Sequence, residues 1–90
     1  MAREGPIAEV VIPALVVDAS SRACPGPVIE ARDAARVLAV GQVFELITRD
    51  PGSWCDVPAW CRNTGNALLL AEETSVEREL RYRFVIRRDC

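Results

Sequence analysis

The stretch Cys24-Pro25-Gly26-Pro27 stands between an apolar run, Leu15-Val16-Val17-Asp18, and a helical pattern that begins at Val28. Pro25 suits the first turn of a helix, where a backbone N–H would have no partner within the helix. A cysteine directly before such a helix lies near free N–H donors and near the positive end of the helix dipole. Both features favour the thiolate over the thiol. The sequence here predicts a strand, a tight turn and a helix, with an activated thiol at the turn.

The residues after the cysteine strengthen this interpretation of Cys24. Gly26 keeps bulk away from the sulfur, and Pro27 stiffens the approach to it. The alternative is structural, because a free cysteine is often a small buried hydrophobe. Two prolines around one glycine are more constraint than an ordinary helix start needs, and they favour the functional interpretation.

Working outward from this stretch, alternating and helical apolar patterns predict a βαβαββ order. Such an order gives an α+β fold, a two-layer α/β sandwich with two helices on one face of a four-stranded mixed sheet. The predicted strands are Leu15 to Asp18, Gln42 to Thr48, Ala67 to Glu72 and a last strand from Glu79, and the predicted helices are Pro25 to Leu38 and Asp56 to Thr64.

Three boundaries rest on particular residues. Pro58 favours Asp56 as the cap of the second helix, which leaves Trp54 and Cys55 in a preceding turn, whereas a start at Ser53 is the alternative. Gly65 predicts the end of that helix. The polar stretch from residue 73 to 77 predicts a connecting loop. The first helix also has one apolar face, which is predicted to pack in the core. This face is formed by Val28, Ala31, Ala35 and Leu38.

The last strand shows the alternation of a half-buried strand, with one core face and one arginine-rich face. The predicted core positions are Leu80, Tyr82, Phe84 and Ile86, and the alternating positions are Arg81, Arg83, Val85 and Arg87.

Length and charge set the class of protein. Ninety residues with a net charge of −2 predict one globular domain, residues 1–90, with a loose leader over residues 1–9. The apolar runs are too short to span a bilayer, so no membrane association is expected. No long apolar segment follows the first charged residues, which argues against a secretory signal and predicts a cytoplasmic protein.

The side chains present exclude several chemistries. All eleven basic residues are arginine, so Schiff-base lysines and cysteine–histidine pairs are excluded. The four cysteines, Cys24, Cys55, Cys61 and Cys90, lack the paired spacing of zinc or redox motifs. We therefore expect neither a bound metal nor a cofactor.

The segment from Asp18 to Val28 resembles the opening signature of the TusA/SirA-like sulfur-carrier family, which has an acidic residue six places before a Cys-Pro-x-Pro box. The resemblance continues at Thr48-Arg49-Asp50-Pro51-Gly52-Ser53, at Asp56-Val57-Pro58-Ala59-Trp60-Cys61 and at Gly65-Asn66. It departs at Ser21 and Arg22, where the family usually has a glycine and an aliphatic residue. It departs again at Asn66, where many members have histidine.

This resemblance implies the same βαβαββ fold and a sulfur carrier that holds sulfane sulfur as a persulfide on Cys24. Such a carrier acts in a relay and is not a self-sufficient enzyme. The implied partners, met in transient contacts, are rhodanese-like proteins, DsrE/TusD-like proteins and cysteine desulfurases. The implied pathways are dissimilatory sulfur oxidation, tRNA thiolation and supply to molybdenum enzymes. The supporting residues of the motif are Asp18, Pro25, Gly26 and Pro27. Arg22, which departs from the family pattern, is a supporting candidate because its charge would lie beside the bound sulfur.

Several other residues have two interpretations. Cys61 matches a cysteine found in many relatives and is a candidate second thiol, although its helical position also fits the core. Cys55 is a weaker candidate thiol, and Cys90 is expected to be a tail residue without a role. Arg49 and Arg62 are candidate anion-holding groups or solvated surface arginines. Trp54 and Trp60 are candidates for a partner surface, with core packing favoured for Trp60.

Two other classes of function compete with the carrier. The arginines of the last strand suggest RNA binding, but neighbouring glutamates cancel their charge, and direct binding to nucleic acid is not expected. The remaining class is a non-catalytic interaction or regulatory module in which Cys24 is incidental.

Overall fold

The computed structural model describes residues 12–21 and 26–90. Its elements follow the predicted βαβαββ order: β1 (Leu15–Asp18), α1 (Gly26–Val37), β2 (Val43–Thr48), α2 (Ser53–Thr64), β3 (Ala67–Val76) and β4 (Glu79–Arg87). The predicted leader, residues 1–9, lies outside the described residues. No helix in the described ranges combines the length and the apolar character needed to cross a membrane.

The four strands form one mixed sheet in the order β1-β2-β4-β3. β1 and β2 are parallel neighbours joined through α1, whereas β4 is antiparallel to both β2 and β3. Parallel neighbours require such a crossover, which places α1 against the sheet. The predicted α+β sandwich, with two helices covering a four-stranded mixed sheet, is confirmed.

Alternate residues of the central strands build the core under the helices. Phe44 and Leu46 of β2 and Phe84 and Ile86 of β4 are fully buried. On α1 the predicted apolar face is confirmed: Ala31, Ala35 and Leu38 are buried, and Val28 packs against them half-buried. Small alanines on this face let α1 approach the sheet closely.

The second helix begins earlier than predicted. It starts at Ser53, so Trp54 and Cys55 are helical, and the prediction of Asp56 as the cap is wrong. The reason is tertiary: the buried Ser53 hydroxyl lies 2.5 Å from the hydroxyl of Thr48 and donates to the Asp50 carbonyl at 2.6 Å. These bonds fix the first turn, and Pro58 is accommodated within the helix. The predicted stop is confirmed, because Gly65 adopts φ +82° and donates its N–H to the Cys61 carbonyl.

The third strand is longer than predicted. The expected loop over residues 73–77 is wrong, because β3 continues to Val76 and joins β4 through two residues, Glu77 and Arg78, with φ of 52° and 70°. Cross-strand pairing with β4, from Glu73 opposite Tyr82 to Val76 opposite Glu79, holds this polar segment extended. The pairing satisfies its backbone groups irrespective of the polar side chains.

Two side chains of β4 depart from the predicted alternation. Leu80, expected in the core, is exposed near the hairpin, where its partner is Ser75. Val85, on the opposite face, is buried at 6% exposure. The alternation sets which face a residue occupies, but the coverage of that face by neighbours sets its burial.

Candidate functional site

The predicted site lies at the carboxyl end of β1. Arg22, Cys24 and Pro25 fall outside the described residues. The structure describes the chain on either side of them. The preceding segment runs from Asp18 to Ser21, and the following one begins at Gly26, the first residue of α1.

Asp18 organises the turn that leads toward Cys24. Its Oδ1 accepts hydrogen bonds from the Ser20 backbone N–H at 3.0 Å and from the Ser20 hydroxyl at 2.5 Å. Ala19 is fully buried, and its N–H donates to the Ile47 carbonyl at 2.7 Å. The bonds from Ser20 lower the pKa of Asp18, and the charge of Arg81 contributes in the same direction. Asp18 is therefore ionised, and its carboxylate holds the turn by accepting both hydrogen bonds from Ser20.

The start of α1 lies against the core. Gly26 and Pro27 are both buried, and Pro27 is among the largest fully buried residues of the described chain. No acidic side chain occupies the first turn of this helix. The positive end of the α1 dipole is therefore not neutralised from within the helix.

Other elements converge on the same end of the sheet. The first turn of α2 follows the carboxyl end of β2, and the hairpin between β3 and β4 reaches this end as well. Arg49 and Arg81 lie here and both pair with Glu79, at 3.7 and 3.6 Å. Arg62, in contrast, is in the last turn of α2, at the opposite end of the sheet. Of the two predicted anion-holding arginines, the fold brings only Arg49 to this end.

The two tryptophans separate as predicted. Trp60 is partly buried and packs against the core. Trp54 is 42% exposed in the first turn of α2, and its ring lies over Tyr82 and Phe84 with centroid distances of 5.7 and 6.1 Å. Trp54 thus offers a rigid aromatic surface at the end of the sheet that holds Asp18 and Gly26.

The arginine-rich face of β4 is occupied by ion pairs. Arg83 donates to Glu45 at 2.8 Å and to Glu72 at 3.3 Å, and Arg87 donates to Asp89 at 2.7 Å. The hydrogen bond that Arg83 donates to Glu45 is the main cause that raises the pKa of Arg83. Paired guanidinium groups present little net positive charge to a phosphate backbone, and the face gives no support to RNA binding.

The three described cysteines have different surroundings. Cys61 is 2% exposed within the core, and burial raises the pKa of its thiol to about 11. Cys55 is exposed in the first turn of α2. Cys90, expected to have no role, is exposed beside Gly65, with its sulfur 3.8 Å from the Gly65 carbonyl oxygen. The surroundings of Cys61 fit packing better than sulfur exchange, because exchange needs an accessible thiolate.

The buried position of Cys61 predicts slow alkylation in the folded protein. With a pKa of about 11, its thiolate fraction at pH 8 is on the order of one in a thousand. We expect iodoacetamide at pH 8 to modify Cys55 and Cys90 while Cys61 stays unmodified, as measured by peptide mass spectrometry. Guanidinium-unfolded protein is the control, in which all thiols should react. Labelling of Cys61 as fast as Cys55 in the folded state would contradict this assignment.

Among the described residues, no three Cys, Asp or Glu side chains gather in an arrangement suited to a metal ion. Near Asp18, the described polar side chains take part in the Ser20 turn bonds and in the ion pairs of Arg49 and Arg81 with Glu79, although Arg81 Nε is buried without a hydrogen-bond partner. This end of the sheet thus combines a carboxylate turn, the start of α1 and the exposed ring of Trp54.

Several known sulfur carrier proteins are similar to this chain. A sulfur carrier protein TusA from Allochromatium vinosum is 39% identical over 57 residues, which cover 63% of this chain and 75% of the relative. TusA of Pseudomonas putida is 36% identical over 61 residues, covering 68% of this chain and 76% of the relative. YrkF of Bacillus subtilis is 36% identical over 58 residues, and the matched region spans only 31% of that protein.

A solved structure has the same fold. The SirA-like protein from Desulfitobacterium hafniense superposes with a TM-score of 0.63 over 84% of this chain and 99% of that one, at 21% sequence identity. A sequence model described as "Sulfurtransferase TusA" matches residues 15–88, which include Cys24 and all six secondary-structure elements. The chain therefore belongs to the TusA sulfurtransferase family and is related to sulfur carrier proteins.

Proposed function

We propose that this protein carries sulfane sulfur as a persulfide on Cys24 and relays it between partner proteins. The observation that carries the proposal is the family match over residues 15–88, in which Cys24 stands two positions before Gly26, the first residue of α1. The supporting residues are those of the predicted site: Asp18 and Arg22 before the cysteine, and Pro25, Gly26 and Pro27 after it.

The chemistry is two successive exchanges at sulfur. The Cys24 thiolate attacks the terminal sulfur of a donor persulfide; a new S–S bond forms on Cys24, and the donor leaves as its thiolate. An acceptor thiolate then attacks the terminal sulfur on Cys24, and Cys24 leaves as a thiolate. Each step forms one S–S bond and breaks one, so neither needs an external oxidant.

The described chain that follows Cys24 supports both steps. The first turn of α1 contains no carboxylate that would oppose a sulfur anion. Helix N-terminal N–H groups stabilise thiolates and lower their pKa, which increases the fraction able to attack. A persulfide is also anionic near neutral pH, and the same donors serve it.

We infer that the partners are sulfur donors and acceptors that meet the protein at this end of the sheet. Rhodanese-like proteins, DsrE/TusD-like proteins and cysteine desulfurases are the candidate classes. Trp54 and Arg81 supply the residue types that anchor protein interfaces, an exposed indole and a guanidinium. Because free thiols persist in a reducing compartment, we place the relay in the cytoplasm, within sulfur oxidation or tRNA thiolation.

Mass spectrometry after incubation with polysulfide tests the proposal. We expect a sulfur adduct that is concentrated on Cys24 and is removed by a reducing thiol. An adduct spread equally over Cys24, Cys55 and Cys90 would instead favour an interaction module in which Cys24 is incidental.

Charge reversal at Arg22 tests the docking of a protein partner. We expect Arg22→Glu to slow sulfur transfer from the physiological donor by about tenfold, because a reversed charge at an interface rim mainly impairs encounter with a charged partner. Loading by polysulfide, measured on the same variant, should fall much less. Arg62→Glu, in the last turn of α2 at the opposite end of the sheet, is the matched control and should leave both transfers unchanged. Equal loss with both donors would mean that Arg22 acts on the thiolate itself.

A further inference from the structure

A pocket lies between the two helices, away from the predicted carrier site. It has a volume of about 260 Å³ and is lined by Arg32, Ala35 and Arg36 of α1, Trp60 of α2, and Arg88 and Cys90 after β4. The helical residues of the lining come from the second half of α1 and from the last turns of α2. They lie at the end of the sheet where β4 finishes, whereas Asp18 and Gly26 lie at the other end.

The side chains of the lining are cationic. Three arginines face the pocket, and no aspartate or glutamate is among its lining residues. Asp33, on the same helix, touches Arg32 and Arg36 through single nitrogen–oxygen contacts of 3.5 and 4.0 Å, with all three side chains at least half exposed. Ion pairs that are long and exposed are weak, so Asp33 neutralises this charge only partly.

One of the three arginines is held in place. Arg88 donates from Nε to the Cys90 carbonyl at 2.8 Å and from Nη1 to the Leu38 carbonyl. Asn66 fixes the neighbouring rim, because its Oδ1 accepts the Asp89 N–H at 3.0 Å and its Nδ2 donates to the Thr64 hydroxyl at 3.1 Å. A guanidinium with a fixed plane loses little entropy when it binds an anion.

The rest of the lining has a polar part, formed by Thr64 and Asn66, and an apolar part. The methyl group of Ala35 and the indole of Trp60 line the pocket together with the thiol of Cys90. A bare inorganic ion would leave these surfaces uncovered, whereas an anion with an apolar body would cover them and reach the arginines. Small-molecule sites combine an apolar lining with a few convergent polar groups in this way.

We propose that this pocket binds a small organic anion, a carboxylate or sulfonate joined to an apolar group of about the size of a benzene ring. The anion faces Arg32, Arg36 and Arg88, and the apolar group packs against Trp60 and Ala35. The site is separate from Cys24 and does not depend on the carrier function.

Nuclear magnetic resonance of the full chain with benzenesulfonate as the probe tests the proposal. The expected result is a saturable shift of the Trp60 indole N–H and of the Asn66 amide, with the Trp54 indole unchanged. Sulfate, which lacks the ring, and benzyl alcohol, which lacks the charge, should each bind at least about tenfold more weakly, because the site needs both parts. Equal affinity for sulfate, equal affinity for benzyl alcohol, or no saturable shift would overturn the proposal.

Arginine variants then test the cationic wall. Arg36→Gln removes an exposed guanidinium from the pocket and should weaken benzenesulfonate binding about tenfold, the usual loss for a charge-assisted hydrogen bond. Arg62→Gln makes the same change in charge on the last turn of α2, outside the lining, and should change affinity less than about twofold. Circular dichroism of both variants confirms that they fold. An equal effect of the two substitutions would show a general charge effect and overturn the assigned site.

Discussion

Replacing Cys24 by serine is expected to abolish sulfur loading while the protein stays folded. Serine is nearly isosteric with cysteine, but its oxygen cannot form a persulfide. The sulfur adduct measured by mass spectrometry after incubation with polysulfide should fall to background. The thermal unfolding midpoint should stay close to that of the unmodified chain, because substitutions away from core packing usually change stability by less than about 0.5 kcal/mol.

Matched controls come from the two exposed cysteines. Cys55→Ser and Cys90→Ser each remove an accessible thiol from the described chain and should leave loading unchanged. Undiminished loading of Cys24→Ser would refute the carrier proposal. A large loss in Cys90→Ser would instead show that the thiol beside Gly65 takes part in sulfur transfer.

Truncation of Phe84 is expected to produce a large loss of stability. Phe84 is fully buried on β4, and its ring lies 6.1 Å from that of Trp54. Phe84→Ala removes the apolar contacts and leaves a cavity that the sheet and helices can fill only in part. The expected cost is about 3–5 kcal/mol, which is a large fraction of the ~5–15 kcal/mol that stabilises a typical domain.

Urea unfolding followed by circular dichroism measures this loss. Leu80→Ala is the matched control, because Leu80 belongs to the same strand and the same side of the alternation but is 51% exposed. Its cost should stay below about 1 kcal/mol, since little buried area is lost. A cost for Phe84→Ala as small as that of Leu80→Ala would contradict the assignment of Phe84 to the core.

The sequence by itself determined the order of elements and most of the core positions. Phe44 and Leu46 are two apart on β2 and therefore face the same side of the sheet. Ala31 and Ala35 are four apart on α1 and therefore share one helix face, whichever residues pack against them. Gly65 ends α2 because its positive φ suits glycine. These features depend on near neighbours in the chain, and the sequence contains those neighbours. The Cys-Pro-x-Pro stretch and its family resemblance likewise identified the candidate thiol.

Contacts between different elements of the fold decided the rest. The start of α2 was set by the hydroxyl pair of Thr48 and Ser53, and the length of β3 by its pairing with β4, against local signals from Pro58 and the polar segment. The ion pairs of Arg83 and the pocket that joins Arg36 to Arg88 follow from strand order and helix packing. The Thr48–Ser53 contact spans five positions and the Arg83–Glu45 ion pair spans 38, but each joins two different elements of the fold. Their energies enter only when those elements pack together, so helical and strand patterns do not encode them.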